Sequence, residues 1–426
     1  MGSIIAIRYT QGYLRPGGER PFQGTGILAA NSFPTGAEVH LNGKLVGVTD
    51  ENFYLEPGDY QVIVRKDGFV PWQKQLHIEQ ELVTQTNAQL FRQVPGFTPL
   101  TVTGVRHVVP SPDGEKLLFY TASASAQTKN GLYILELGGG LLANQREPRQ
   151  IAEDTPGFDL SKAAFTWSPD NSQVILASGE REVLLDLTRK NALSTLPDIG
   201  LRKKQLLSEW EAQLYLKERQ YFSRFPNEVL EVATQSATNV YLSPDKKKLL
   251  YTATASATLP EGLVPPLPAR NTQPEERQLQ PGTTYVYDRE EDKNFPLTLV
   301  VATTSASRVF LADDLANREP RQLVASPSGF TRLQASTSAQ TAQRFAQIYS
   351  PLYSSGVQWF PDSKHLLFAE KGIIYLMEYD NTNKTPVYAG PFAEQFLYPW
   401  PDGSRLLILT TFSEETPENL YAIELK

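Results

Sequence analysis

One short cassette recurs five times along this chain of 426 residues, and it constrains the fold more than any other feature. Each copy has an aromatic or small residue, then Pro-Asp, a polar turn and an apolar strand. Proline presets a backbone angle of the turn and aspartate accepts the N–H groups that follow, so the pair has a structural reason to recur. Repeated strand–turn–strand units predict a β-propeller. The aspartates of the five copies are Asp113, Asp170, Asp245, Asp362 and Asp402.

The spacing of the copies predicts the number of blades. A blade usually takes about 40–50 residues. The last two copies begin 40 residues apart, at Phe360 and Trp400, whereas the third and fourth begin 117 residues apart, at Ser243 and Phe360. The longer interval has room for a sixth, degenerate blade around residues 308–311 and 321–324. We therefore predict five blades and leave a sixth open.

Three insertions interrupt the predicted ring. Residues 201–225 predict one helix, because Leu207 and Trp210 share an apolar stripe among charged residues. Such a stripe either packs on the side of the propeller or docks a partner, and the sequence leaves both open. Residues 259–281 contain six prolines and predict an extended surface loop. The third insertion, 300–348, ends in a stretch rich in Ala, Gln, Ser and Thr.

Residues 27–92 predict a small β-sandwich that precedes the propeller. Apolar and polar residues alternate in short runs, which indicates half-buried strands. An Asn-Gly pair between two such runs is a strong hairpin signal, and a Pro-Gly pair marks the next turn. The residues that we select as structural motif positions are Pro34, Gly36, Asn42, Gly43, Pro57 and Gly58.

This predicted sandwich resembles a PEGA domain. The resemblance rests on Phe-Pro-Thr-Gly-Ala-Glu-Val at 33–39, Leu-Asn-Gly-Lys at 41–44 and Leu-Glu-Pro-Gly-Asp-Tyr at 55–60, with Thr35 where the family has glutamate. The Pro-Asp cassettes in turn resemble TolB-type propeller repeats. PEGA domains occur on bacterial and archaeal surface proteins and share no catalytic residues. The resemblance therefore implies an envelope protein without a family-wide active site.

The division of the chain follows from these patterns. We expect a membrane-proximal segment at 1–26, the sandwich at 27–92 and the propeller at 93–426. Near the start, an apolar run at 4–7 is followed by Arg8-Tyr9, as at a membrane interface. These residues predict the end of a truncated membrane anchor, and a first β-strand is the alternative.

The composition excludes several kinds of chemistry. The chain has no cysteine, which excludes thiol catalysis, disulfides and cysteine-bound metals. A net charge of −7 argues against nucleic acid as a partner. The basic runs at 202–204 and 246–248 are predicted to be solvated faces of the protein. No Gly-x-Ser-x-Gly nucleophile motif occurs. The four histidines lack metal-ligand spacing; they are His40, His77, His107 and His365.

The sequence predicts no catalytic, cofactor-binding or metal-binding residue, and no cofactor. It favours a non-enzymatic binding or scaffold protein of the cell envelope, extracytoplasmic and tethered to the cytoplasmic membrane through its N-terminal anchor. The propeller would contact protein partners or cell-wall glycan, and self-assembly is a further option. A third possibility is that the PEGA module alone binds and the propeller spaces it.

The alternative function is an enzyme that acts on envelope glycan in the propeller channel, as a lyase or hydrolase. Such an enzyme needs two carboxylates, or a tyrosine with an arginine or histidine, in one pocket with shifted pKa values. The sequence gives no such pair, because the recurrent aspartates already have a structural explanation.

Overall fold

The computed structural model describes most of the chain from residue 24 onward. The described residues are 24–122, 124–138, 147–265, 267, 271–299, 356–394, 396–412 and 417–426, without the side chains of Tyr215 and Glu218. The described elements are almost all strands, as the sequence predicts. The insertion at 300–348 and the positions suggested for a sixth blade, 308–311 and 321–324, lie outside the described residues.

The N-terminal strands form the predicted sandwich. Its sheets have the orders β4-β3-β6-β7, β5-β1-β8 and β2-β9. Leu28, Val39 and Val62 are fully buried between them. Asn42 and Gly43 turn the chain from β3 to β4 with φ values of 49° and 81°, which a two-residue hairpin turn of this kind requires. The strands are β1 (Gly26–Ala30), β2 (Ser32–Phe33), β3 (Glu38–Leu41), β4 (Lys44–Val48), β5 (Glu51–Leu55), β6 (Gly58–Arg65), β7 (Trp72–Ile78), β8 (Val83–Gln85) and β9 (Ala88–Gln89).

The described part of the propeller contains five consecutive antiparallel sheets. The first sheet is β11 (Arg106–Pro110), β12 (Lys116–Thr121), β13 (Gly131–Glu136) and β14 (Arg149–Glu153); the second is β15 (Ala164–Trp167), β16 (Gln173–Ser178) and β17 (Arg181–Asp186). The third is β18 (Ala237–Leu242), β19 (Lys248–Ala253), β22 (Thr284–Asp288) and β23 (Lys293–Leu297), with a ribbon of β20 (Ala257–Thr258) and β21 (Gln278–Leu279) inserted. The fourth is β24 (Val357–Trp359), β25 (His365–Glu370), β26 (Ile373–Glu378) and β27 (Thr385–Tyr388). The fifth is β28 (Leu397–Pro399), β29 (Arg405–Thr410) and β30 (Asn419–Glu424), completed by β10 (Phe97–Pro99).

The two ends of the propeller are joined in the fifth sheet. Strand β10 pairs antiparallel with β30, so that Phe97 lies opposite Ile423 and Pro99 opposite Tyr421. The first strand of the region thus completes its last sheet, which is how a propeller protects its edges. The β-propeller prediction is confirmed.

Apolar clusters join neighbouring sheets. One buries Trp167 with the first and second sheets, and another buries Trp359 with the third and fourth. Phe360 lies between the fourth and fifth sheets, and Trp400 between the fifth and first. These residues sit beside the Pro-Asp turns, so the recurrent cassette also supplies the side chains that pack the sheets together.

Two helices pack against the second and third sheets. In helix α1 (Gly200–Phe222), the side chains of Leu207 and Trp210 pack against Ile175 of the second sheet. Helix α2 (Asn227–Gln235) lays Val229 on the third sheet. The predicted helical insertion is confirmed, but between β17 and β18 it contains two helices where one was expected over 201–225. The second helix has only nine residues and begins directly after Pro226, where we had taken the insertion to end.

The aspartates of the five cassettes act within their own turns. Each side chain accepts a hydrogen bond from the backbone N–H two residues ahead. The N···O distances are 3.0 Å at Asp113, 3.1 Å at Asp170, 3.0 Å at Asp245, 2.8 Å at Asp362 and 2.8 Å at Asp402. A carboxylate that accepts a nearby N–H stabilises the turn.

Two of the tryptophans before Pro-Asp turns, Trp167 and Trp359, allow a matched test. Trp359 Nε1 donates to the carbonyl oxygen of Tyr241 at 3.3 Å, whereas Trp167 Nε1 is buried without an acceptor among the described residues. We expect Trp359→Phe to reduce the free energy of unfolding by about 1 kcal/mol more than Trp167→Phe, because only the former loses a hydrogen bond. Denaturant unfolding of both variants measures the difference. Equal losses, or a larger loss for Trp167→Phe, would contradict it.

Candidate functional site

A buried ion pair joins the sandwich to the propeller. Lys74 projects from β7, and its ammonium lies 2.7 Å from Glu378 Oε2 and also contacts the carboxylate of Asp380. Trp72 Nε1 donates to the other oxygen of Glu378. The side chains of Lys74 and Asp380 are 9% and 0% exposed. Opposite charges buried together compensate each other, and separating them leaves an unpaired charge.

The outer edge of β7 also receives partners from propeller loops. Gln73 N donates to Asn383 Oδ1 at 2.8 Å, and Gln273 Nε2 donates to the carbonyl oxygen of Gln75 at 2.7 Å. Gln273 belongs to the proline-rich insertion, which we had predicted to be a surface loop. That prediction was wrong for this part of the insertion, because Gln273 is buried against the sandwich.

The apolar part of the junction is centred on Phe91. This buried side chain lies edge-on to Phe360 and His365, with ring centroids 6.4 Å and 5.4 Å away. The next residue, Arg92, donates from its backbone N–H to the carbonyl oxygen of Leu425 at 3.2 Å. Directional polar contacts at β7 are therefore combined with apolar burial where the chain leaves the sandwich.

Asn271 extends the ion pair into the third sheet. Its Nδ2 donates to Asp380 Oδ2 at 2.6 Å, and its backbone N–H donates to Glu291 Oε2 at 2.9 Å. Its carbonyl oxygen accepts from Lys293 Nζ at 2.5 Å. The network therefore connects the sandwich, the proline-rich insertion and two sheets of the propeller.

The environment shifts the pKa values of this network. Burial favours neutral Lys74, but Glu378 and Asp380 outweigh burial and raise its pKa. Burial opposes ionisation of Asp380 as well, yet Lys74 and the hydrogen bond from Asn271 lower its pKa below the ordinary value. Burial, followed by repulsion from Asp288, raises the pKa of Glu291. Lys74 and Asp380 are thus charged at neutral pH.

The oxygens of the junction carboxylates are engaged with protein donors. Glu378 accepts from Trp72, Lys74 and Asn383. Asp380 accepts from Lys74, Asn271 and Thr382. This arrangement holds two domains in a defined orientation, and we assign it that role.

A group of aromatic rings, two of them exposed, lies where the fourth and fifth sheets meet. Phe97 stacks on Tyr421, with centroids 4.7 Å apart and planes 22° apart. Phe412 lies edge-on to both rings, at 5.4 Å from Phe97 and 5.3 Å from Tyr421. Phe412 is 60% exposed and Phe97 is 37% exposed. We call this set the aromatic surface; its residues are Phe97, Tyr388, Phe392, Phe412 and Tyr421.

The histidines have separate local partners. His40 contacts Glu38 at 3.2 Å, and His77 contacts Asp59 at 2.8 Å. His107 Nε2 contacts the carbonyl oxygen of Ser161. No group of His, Asp and Glu that could hold a metal occurs among the described residues.

His365 is buried against Asp362, with its Nδ1 2.7 Å from the carboxylate. Burial opposes the charged imidazolium, but Asp362 raises the pKa of His365 above its ordinary value. The pair belongs to the Pro-Asp turn that also packs on Phe91, so it supports the junction.

The predicted turn residues of the sandwich are placed apart from the junction. Asn42 and Gly43 lie between β3 and β4, and Pro57 and Gly58 lie where β5 turns into β6. Pro34 and Gly36 lie between β2 and β3.

Among the described residues, no helix is long and apolar enough to cross a membrane.

Sequence reasoning missed Lys74, Asn271, Glu378 and Asp380. Lys74 and Glu378 are separated by 304 residues. Each stands in a strand or loop of ordinary composition, so no local pattern marks them. A lysine in the middle of β7, between apolar inward positions, was the one weak signal.

Removing the charge of Asp380 should weaken the junction. We expect Asp380→Asn to reduce the free energy of unfolding at pH 7 by about 3 kcal/mol, because Lys74 loses one of two buried carboxylates. The lowered pKa of Asp380 means that its contribution is present above the unfolded value of 3.8 and is lost as pH falls through the folded value. Denaturant unfolding from pH 7 to pH 3 measures this, with the exposed Glu394→Gln as control. A variant as stable as wild type at pH 7 would contradict the expectation.

Glu291 in the same network should respond in the opposite sense. Its raised pKa means that its contribution is complete below the unfolded value of 4.5 and is lost as pH rises through the folded value. Glu291→Gln keeps an oxygen for the Asn271 N–H, so we expect a variant at least as stable as wild type at pH 8, with no difference below pH 4.5. The neighbouring Glu290→Gln is the matched control. If Glu291→Gln is less stable than wild type at pH 8, this prediction is wrong.

Comparisons with solved structures give low similarity. A protein assigned provisionally as TolB from Agrobacterium tumefaciens is 13% identical, with 83% of each chain covered and a TM-score of 0.22. TolB from Acinetobacter baumannii is 10% identical, with 92% of this chain and 63% of that chain covered and a TM-score of 0.22. The Dos1 propeller is 10% identical, with 91% and 73% covered and a TM-score of 0.19. No curated protein matches the chain.

The family comparison concerns the N-terminal domain. The PEGA domain family matches residues 25–94. This range spans the sandwich of β1–β9, including the Asn42-Gly43 hairpin. Residues 25–94 are a PEGA domain, and a β-propeller follows it.

Proposed function

We propose that the protein is a non-enzymatic binding or scaffold protein of the cell envelope, which presents the aromatic surface to a protein partner. The observation that carries this proposal is the exposure of Phe412 and Phe97 within a packed set of rings. Contiguous exposed apolar groups mark interaction sites, and aromatic side chains dominate the energetics of protein interfaces.

The supporting structure around the aromatic surface favours tight binding. Phe97 belongs to the strand that closes the propeller, and Tyr421 lies in the strand paired with it. Rings held by a sheet lose little conformational freedom when a partner binds, so less of the contact energy is spent on ordering them. The buried contacts of Lys74 keep the PEGA domain in a fixed relation to this surface.

The PEGA domain supports a location in the cell envelope, on the extracytoplasmic side. The membrane anchor inferred from residues 4–9 lies outside the described residues and stays a prediction. Cell-wall glycan, self-assembly and catalysis on envelope glycan are the competing interpretations, and glycan binding and catalysis each give a different result in the test below.

Substitution of Phe412 should weaken the capture of a partner. The full chain is immobilised, exposed to an envelope extract, and the retained proteins are identified and purified. We expect Phe412→Ala to raise the Kd of a retained protein about tenfold, because a central aromatic contact contributes more than 1 kcal/mol. Phe33→Ala is the matched control, since Phe33 is 53% exposed and lies outside the aromatic surface.

Three results would contradict the proposal that the aromatic surface binds a protein partner. A glycan whose retention depends on Phe412 favours a glycan-binding protein. Shortening of envelope polysaccharide by the purified chain favours the enzyme. Retention that is identical in wild type, Phe412→Ala and Phe33→Ala excludes the aromatic surface as the binding site.

A further inference from the structure

We propose that the partner of the aromatic surface is an extended peptide segment of alternating apolar and polar residues, which adds a strand to the outer edge of β10. This inference rests on the function proposed above and names the kind of partner. Strand addition combines main-chain hydrogen bonds, which give affinity, with contacts of every second side chain, which give specificity. Phe97 offers both, because it belongs to β10 and to the aromatic surface.

The pairing of β10 with β30 fixes which backbone groups of β10 point outward. Strand β10 is the outermost strand of the fifth sheet, and its three residues are exposed. Glu424 N donates to the carbonyl oxygen of Gly96 at 2.9 Å, and bonded and non-bonded positions alternate along an antiparallel pair. Phe97 and Pro99 are therefore non-bonded positions toward β30. The N–H of Phe97 and the carbonyl groups of both residues point outward, without a partner among the described residues.

The outermost strands of the first three sheets are engaged by other segments of the chain. In each, a backbone carbonyl oxygen accepts a hydrogen bond from an N–H outside the sheet. These bonds are Asn191 N to Ile151 O in β14 and Ile199 N to Glu182 O in β17, both 2.7 Å, and Glu276 N to Asn294 O in β23, 2.8 Å. In the fourth sheet, β27 contains Pro386, which lacks an N–H. Covering an edge in these ways prevents it from pairing with another chain, whereas β10 keeps an exposed donor.

The rings beside β10 determine which side chains the added segment carries. Directly opposite residues of two paired strands have their side chains on the same face. The residue that pairs with Phe97 therefore places its side chain beside that ring and beside Phe412, which is 60% exposed. Residues two positions away lie on this face as well, and those between them point to the other face. An alternation of apolar and polar residues follows.

Pro99 keeps the pairing short. A proline at a sheet edge lacks the N–H that an added strand would accept. The edge therefore offers one donor and two acceptors, which suffice for a bonded pair at Phe97 and one further bond to the carbonyl oxygen of Pro99. A short edge also disfavours indiscriminate pairing with other strands, so the aromatic contacts select the segment.

A library of random peptides displayed on phage provides the probe. Peptides are selected on the immobilised full chain and then synthesised for titration. We expect them to alternate apolar and polar residues and to bind Phe412→Ala at least about tenfold more weakly than wild type. Val102→Ala is the matched control, because Val102 is 81% exposed and lies outside the aromatic surface. This variant should keep the wild-type affinity.

Methylation of the peptide amides, one residue at a time, tests for an added strand. Only every second N–H of such a strand points toward β10. We expect methylation at either of two positions, separated by one residue, to weaken binding at least about tenfold, because each removes a hydrogen bond and obstructs the edge. Methylation of the residue between them should leave the affinity unchanged.

Hydrogen exchange at the Phe97 amide tests the same contact from the side of the protein. With peptide at about 100 times its Kd, this amide should exchange about a hundredfold more slowly than in the free chain, because it is exposed only when the peptide dissociates. The amide of Thr98 points toward β30 and is the internal control.

Two results would overturn strand addition. The first is Phe412-dependent binding in which methylation has no alternating effect and the Phe97 amide exchanges as in the free chain; the proposed function then stands, with a partner of another shape. The second is a library that gives no Phe412-dependent peptide. In that case the experiment with the envelope extract decides the proposed function separately.

Discussion

The pairing of β10 with β30 is the constraint on which the rest of the structure depends. It closes the propeller and also fixes where the PEGA domain can sit, because Phe91 and Arg92 lie only a few residues before β10. Arg92 donates to the carbonyl oxygens of Leu425 and Lys426, immediately after β30. One C-terminal strand is therefore held by the ring and by the end of the sandwich together. Closure of the propeller and docking of the PEGA domain are for this reason coupled.

The repeating part of the fold could be predicted from the sequence because its causes are local. The Pro-Asp turns set the first two strands of each sheet, and the apolar run after each turn becomes the buried second strand. A ring pair recurs across the second and third strands of three sheets, as Phe119–Tyr133, Tyr251–Tyr285 and Phe368–Tyr375. Directly opposite aromatic residues stabilise a strand pair. These aromatic pairs stabilise the sheets, so the aromatic content of the chain does not by itself indicate a binding function.

The contacts that orient the domains could not be predicted, because their partners are distant in sequence and ordinary in composition. Lys74 looks like any polar residue of an alternating strand, and Asp380 like any turn residue. Asn271 stands among prolines that indicated only an extended loop. The short helix α2 was missed for another reason: its apolar spacing is regular, but nine residues after a proline give little periodicity to read. Local patterns specify elements, whereas docking depends on which elements the fold brings together.

The junction combines two kinds of contact with different consequences. Burial of Phe91 is non-directional and would tolerate a range of relative orientations. The ammonium of Lys74 must reach both Glu378 and Asp380, and any rotation that breaks one contact leaves a buried charge without a partner. Apolar contact therefore supplies attraction, and the ion pair selects one orientation. The two domains therefore keep one relative orientation through contacts within the chain itself.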